Sequence, residues 1–352
     1  MRREADGWQR SPDLEALVDR LVSSGRVCAA VAVVGSGERI ELEASAGLAR
    51  QGSQRGPLTG HLFDLASLTK PCMATLALRL DQEGLLPLDL AIGDAWPGAA
   101  EPLRRRTLED LLRHRAGFQP WTPLYRRCRR VENVSQLLLG GALLGSPAGT
   151  YSDLGYVLWG LTAERMLEQP LERLFESHLT RVLGAPGLKA PPGPAPEVVA
   201  CRLNNARERE LAARQGIAVA LRPGPALGAP QDGNARLLGG LGGHAGLFGS
   251  APSLWKLARA WLRPGQLLGA GRVAAALQGP GRCLLGWSRR RVRGDAGPAL
   301  SPLSYGHTGF TGGSLWIDPV ADRILILLAH RMVVDADLAP WRRRFHRLAL
   351  PS

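Results

Sequence analysis

The two most strand-like runs of this chain stand at its opposite ends. VCAAVAVVG (27–35) and DRILILLAH (322–330) are short, apolar and rich in β-branched residues, and most of what lies between them reads as helix or loop. Strands at both ends around a helical middle fit one antiparallel sheet assembled from the two termini and flanked by helices, with the middle as a mostly helical lobe: an α+β fold. The expected division is a discontinuous sheet domain, 1–75 and 282–352, and a helical lobe, 76–281. Clefts between such lobes are common ligand sites, so an active site is expected there.

The remaining punctuation agrees. SPDLEALVDRLVSSG predicts a helix near 12–24. A turn at 35–37 separates the first strand from a second one. The period becomes helical from about Ser67 to Gly84, and TLEDLLRHRAG (107–117) predicts a capped helix stopped by Gly117. VSQLLLGGALLG, SDLGYVLWGLTAERMLEQ, the segment after Pro170 and PSLWKLARAWL (252–262) also read as helices. GAPGLKAPPGPAPE (184–197) reads as a loop without regular structure. Strands return beyond about 283, best seen in SLWIDP (314–319), and an amphipathic helix closes the chain over roughly 338–349.

Lysine is scarce: of 44 basic residues only Lys70, Lys189 and Lys256 are lysine. Lys70 stands in FDLASLTKPCMATLALRL (63–80), three residues after Ser67, so the two share a helix face. At a helix start in an apolar setting, the dipole and burial both disfavour an ammonium ion. The amine is then expected to drift toward neutrality and accept the serine proton. The pattern recurs at Ser253-Leu-Trp-Lys256, where Ser250, Pro252 and Ser253 look like helix-start residues and Lys256 reads as a solvated first-turn lysine.

Only Ser67 has companions in order: YSDLGY (151–156) and YGHTGFTGGSLWIDP (305–319). With these motifs the chain resembles the serine β-lactamase-like and penicillin-binding hydrolases, in the branch of class C β-lactamases, D-alanyl-D-alanine carboxypeptidases and related esterases. That branch carries S-x-x-K, Y-x-N and [KH]-T-G. TLEDLLRHRAGF (107–118), GGHAGLFGSAPSL (242–254) and SLWIDPVADRILILLAHR (314–331) look familial too, so the resemblance runs from about 27 to 348. It implies the β-lactamase/transpeptidase-like fold and a serine hydrolase working through an acyl-enzyme. Ser67 would be the nucleophile, Lys70 its base, and Tyr151 the phenol that relays protons. His307 would polarise the site or bind a substrate carboxylate, and the backbone N–H groups of Ser67 and Phe310 would form the oxyanion hole. Thr308 and Gly309 would line the strand edge, Gly309 letting substrate backbone approach. Asn234 and Asp232 would edge the site, Arg331 would meet an anionic substrate group, and His244 would pack under the cleft. Asp153 stands where the family has Asn. It removes a donor to the substrate and can pair with Lys70, raising the amine's pKa. The competing class is a non-catalytic module binding a muropeptide or a protein partner.

Other classes fit less well. The net charge of +13 invites a nucleic-acid reading, but the arginines fall in scattered clusters (104–106, 126–130, 289–293, 342–344) without interleaved aromatics. No nucleic-acid partner is expected; a small molecule or short peptide is. Cys28, Cys72, Cys128, Cys201 and Cys283 are odd in number and widely spaced, which suggests free thiols. No metal-ligand spacing, P-loop or G-x-S-x-G elbow of the other major serine hydrolases occurs, and no metal or cofactor is expected. MRREADGWQRSPDLEALVDRL lacks a secretory h-region and no run is long enough to span a membrane, so the cytoplasm is the expected location unless the start site is misassigned. The oligomeric state is not legible.

Overall fold

The structure, a computed structural model, describes residues 8–53, 58–265 and 267–350. Its main sheet has seven strands in the spatial order Gln9–Arg10, Ile40–Gly47, Val27–Gly35, Arg323–Arg331, Ser314–Asp318, Tyr305–Thr308 and Ser288–Arg289. The two long apolar strands from the ends of the chain are direct neighbours: Val27–Gly35 pairs antiparallel with Arg323–Arg331, with Val33 opposite Ile326. The sheet is mixed rather than wholly antiparallel, because Gln9–Arg10 runs parallel to Ile40–Gly47. A two-residue strand is too short to leave a period-two signature in sequence.

Both faces of the central strands are buried, which is why they read as continuous apolar runs. Ala30, Ala32 and Val34, with Leu325 and Leu327, pack under the terminal helices Pro12–Ser23 and Ala339–Ala349 through Leu14, Leu17, Val18, Leu21 and Phe345. The alternate residues Ala29, Val31, Val33, Ile324, Ile326 and Leu328 belong to a second, larger core. That core continues through the helices Thr69–Gln82, Asp153–Leu167 and Ala251–Leu262. Thr69–Gln82 is buried almost all round, as expected of a helix with protein on every side.

Three local expectations change. Thr107 and Asp110 do form a capping box, but the helix runs only Leu108–Leu112, and His114 takes a left-handed conformation at φ 59. The helix Glu132–Leu139 stops before Gly140 and Gly141, the latter at φ 81, so GALLG does not continue it. The segment 184–197 is not structureless: Leu188–Lys189 pairs with Phe248–Gly249, which also pairs with Phe63–Asp64. This small sheet carries the chain into the Ser67 turn. No helix among the described residues is long and apolar enough to cross a membrane.

Candidate active site

Asp64 ends the short strand and organises the turn that bears Ser67. Its buried carboxylate accepts from Ala66 N at 2.9 Å through Oδ1 and from Gln231 N at 2.7 Å through Oδ2. Its own N–H donates to His330 Nε2 at 3.0 Å, and its carbonyl accepts from Thr311 Oγ1 at 2.7 Å. Burial raises this carboxyl to about 6. The four bonds hold Ala66 at φ 46, a left-handed conformation that costs a non-glycine residue about 1–3 kcal/mol. The next residue, Ser67, lies in the 3-10 turn Ala66–Leu68, half-buried, with Thr69–Gln82 directly after it.

Lys70 is fully buried, and its three ammonium donors are all used. Nζ donates to Ser67 Oγ at 3.1 Å, to Asp153 Oδ1 at 2.7 Å and to the His244 carbonyl at 3.2 Å. It also stands 4.9 Å from the Tyr151 ring centre and 5.6 Å from that of Tyr156. Burial lowers the amine's pKa, but Asp153 first and Tyr151 second outweigh it, and the net shift is upward. The expected drift toward neutrality is therefore overturned: a carboxylate in direct contact defeats both burial and the helix dipole.

Tyr151 precedes the helix Asp153–Leu167, whose N-cap Ser152 accepts from Leu154 N at 3.1 Å. Burial raises its phenol, Lys70 lowers it and Asp153 raises it, leaving it above its ordinary value. His114 packs its ring 4.6 Å from Tyr151 and accepts from Ser152 N through Nδ1 at 3.0 Å. Burial, then Lys70 and His307, lower His114 to about 3, so its ring is neutral at physiological pH. On the other side His307 lies 5.8 Å from Tyr151, ring to ring, on the strand Tyr305–Thr308. Burial and then Lys70 lower it to about 3. Its Nδ1 meets the Thr308 carbonyl at 2.8 Å and must carry the proton, which leaves Nε2 as an acceptor. A neutral ring in that tautomer cannot donate to a substrate carboxylate, contrary to one of the roles expected for it.

The four expected residues thus converge. A cavity of about 450 Å³ is lined by Ser67, Tyr151, His307, Thr308 and Phe310, with Arg282, Arg289 and Arg291 on its rim. Among the described residues, the Ser67 and Phe310 N–H groups donate to no protein acceptor. Such free donors beside a nucleophile suit a developing oxyanion.

Three expected binding residues do other work. Asn234 is buried and pins two backbones, accepting from Leu124 N at 2.8 Å and donating to the Thr122 carbonyl at 2.9 Å. A Cβ at Gly309 would lie 2.5 Å from the Leu65 carbonyl, so the glycine serves the packing of this strand end on the Ser67 turn. Arg331 donates to the Val334 carbonyl at 3.0 Å and stacks 5.8 Å from the Phe310 ring centre, outside the cavity lining. Asp153 meets Lys70 as the sequence reading allowed. Asp64, His114 and the rim arginines escaped that reading. An Asp two residues before a turn N–H is a legible Asx signal for Asp64; His114 stood in a quoted familial segment with no local feature to give it a role.

The sequence model of the beta-lactamase family matches residues 14–348. The chain is 31% identical over 335 residues to a protein of Escherichia coli (strain K12) named "Putative D-alanyl-D-alanine carboxypeptidase", covering 80% of this chain and 72% of that one. It is 28% identical over 376 residues to the N-acetylmuramyl-L-alanine amidase of Bacillus subtilis (strain 168), covering 93% and 83%. Among solved structures it resembles EstCE1, described as a hydrolase with promiscuous acyltransferase activity, with a TM-score of 0.75 at 19% identity over 95% of this chain and 97% of that one.

Proposed function

Because the chain belongs to the beta-lactamase family, we propose that it is a serine hydrolase that acts through a Ser67 acyl-enzyme on esters or short D-amino-acid amides and peptides. One observation carries the reading: Ser67 Oγ sits 3.1 Å from a fully buried Lys70, at a cavity edged by two free backbone N–H groups.

In the proposed reaction Ser67 Oγ attacks the substrate carbonyl while its proton passes to the Lys70–Tyr151 pair. The Ser67 and Phe310 N–H groups hold the oxyanion. Collapse expels the alcohol or amine, which takes a proton back from the pair. Water then attacks the acyl-enzyme by the same route and releases the acid and free Ser67. The pair can accept a proton only after losing one, and Asp153 holds the ammonium form of Lys70. Acylation is therefore expected to climb from neutral into alkaline pH. Esters are expected to react faster than amides, since their leaving groups need less protonation. The names of the two relatives, a carboxypeptidase and an amidase, support the amide branch; the likeness to EstCE1 supports the fold.

A fluorophosphonate probe checks the nucleophile. One adduct on the wild type and none on Ser67→Ala supports the reading, and no adduct on either removes it. Turnover of p-nitrophenyl acetate, nitrocefin and D-Ala-D-Ala peptides then ranks the substrates. The Asp153–Lys70 contact also favours a second reading, a weakly catalytic binding module. A penicillin adduct that forms but does not turn over selects that reading.

A further inference from the structure

His244 lies beside Lys70 and outside the cavity lining: its carbonyl accepts from Lys70 Nζ, and the residue is 1% exposed. Both ring nitrogens face oxygens. Nδ1 is 3.0 Å from the Gly242 carbonyl, and Nε2 is 3.0 Å from Asp232 Oδ1. The same carboxylate oxygen caps the helix Gly233–Leu237 by accepting from Ala235 N at 2.8 Å. Carbonyl and carboxylate oxygens only accept, so each nitrogen must carry a proton and the ring is an imidazolium. A buried charge of this kind persists only when paired.

We propose that His244 and Asp232 form a second, partly buried ion pair, and that the His244 imidazolium offsets the hold of Asp153 on Lys70, so that the amine releases its proton more readily than the Asp153 contact alone would allow. His244 is then a positioning residue for the Ser67 chemistry, and the inference rests on the hydrolase reading. The charged and titratable groups facing Lys70 are Asp153, Tyr151, Tyr156, His114, His307, Asp232 and His244 itself. Those facing His244 are Asp232, Asp153 and Lys70. Burial disfavours the His244 cation, yet Asp232 holds its pKa above the ordinary value; Asp232 itself lies at about 2, burial being outweighed by His244. Of the histidines that interact with Lys70, His114 and His307 are neutral and His244 is the cation, so its removal leaves the hold of Asp153 unopposed and, in His244→Gln, Asp232 unpaired as well.

The three lysines make this measurable without turnover. Side-chain-labelled lysine in the full-length protein gives three NMR signals, and Lys70 can be titrated directly, with Lys189 and Lys256 reporting an intact fold. His244→Gln is expected to move the Lys70 titration to higher pH; Asp232→Asn lets the ring lose its proton but also removes an anion facing Lys70, so its shift is smaller than that of His244→Gln. The comparison is repeated on an Asp153→Asn background, where Lys70 titrates lower and the shift is easier to follow. The acylation rate at neutral pH should fall by about tenfold for each unit of that shift. A Lys70 titration unmoved or lowered by His244→Gln overturns the proposal; if that variant does not fold, His244→Asn, which removes the same ring and keeps Asp232, decides it. Wild-type protein that no probe acylates removes the hydrolase reading, while the lysine titration still decides this inference.

Discussion

The chain writes the same pattern twice, a serine with a lysine three residues later, and gives it two unrelated environments. At Ser67–Lys70 the lysine is fully buried and bonded to its serine, to Asp153 and to a backbone carbonyl. At Ser253–Lys256 the lysine is exposed in the second turn of Ala251–Leu262, bonded to the Gly184 carbonyl, while Ser253 accepts from Ser250 Oγ at 3.3 Å. Helix spacing is common to both. What differs is burial, the strained Ala66 turn that presents Ser67, and the polar residues that other segments bring to Lys70. The comparison teaches that the tetrapeptide carries no chemistry alone.

Substitutions at matching positions separate the two sites. The largest effect belongs to the serines: Ser67→Ala should cut ester turnover by about 10⁴-fold or more, while Ser253→Ala leaves it within about twofold. Next come the lysines. Lys70→Met should lose roughly 10²–10⁴-fold in acylation, the usual range for a positioned proton acceptor, with Lys256→Met near wild type in the same stopped-flow assay.

Asp153→Asn tests the environment rather than the motif. The carboxylate raises the Lys70 pKa, so its removal lowers that pKa, enlarges the free-amine fraction at neutral pH and moves the alkaline limb of the acylation profile to lower pH. A gain of about tenfold at neutral pH is expected, one unit's worth of amine. An unmoved limb would show that Asp153 does not govern the base. The smallest effect is on stability: Lys256→Met should change the unfolding free energy by less than about 0.5 kcal/mol in a denaturant melt, as for most exposed substitutions.

The parts legible from sequence were those with a long period or an ordered set of motifs. Nine-residue strands at each end announced the central pairing, and the three motifs announced that Ser67, Lys70, Tyr151 and His307 would meet. Two-residue strands did not show, because alternation needs length. The charge state of Lys70 stood between two readings, a drift toward neutrality and a pairing with Asp153 that raises its pKa, for a different reason. Burial and a helix start are visible in sequence, whereas a 2.7 Å contact with Asp153, 83 residues away, is a product of the fold. Gly309 read as a binding residue from its place in the third motif and Asn234 from the resemblance; in the structure Asn234 pins two backbones and Gly309 lets the strand end pack on the Ser67 turn. His114 went unassigned because its role is to pack against Tyr151 and hold Ser152, and neither contact is local in the chain.

The most direct test is to identify the residue that carries the acyl group during turnover. The protein is quenched while hydrolysing p-nitrophenyl acetate, digested, and its peptides mapped by mass. The account predicts one acetyl group per chain, on Ser67, with the peptide containing Ser253 unmodified. Turnover with Ser67 unacetylated, or acetyl on Ser253 instead, would contradict it.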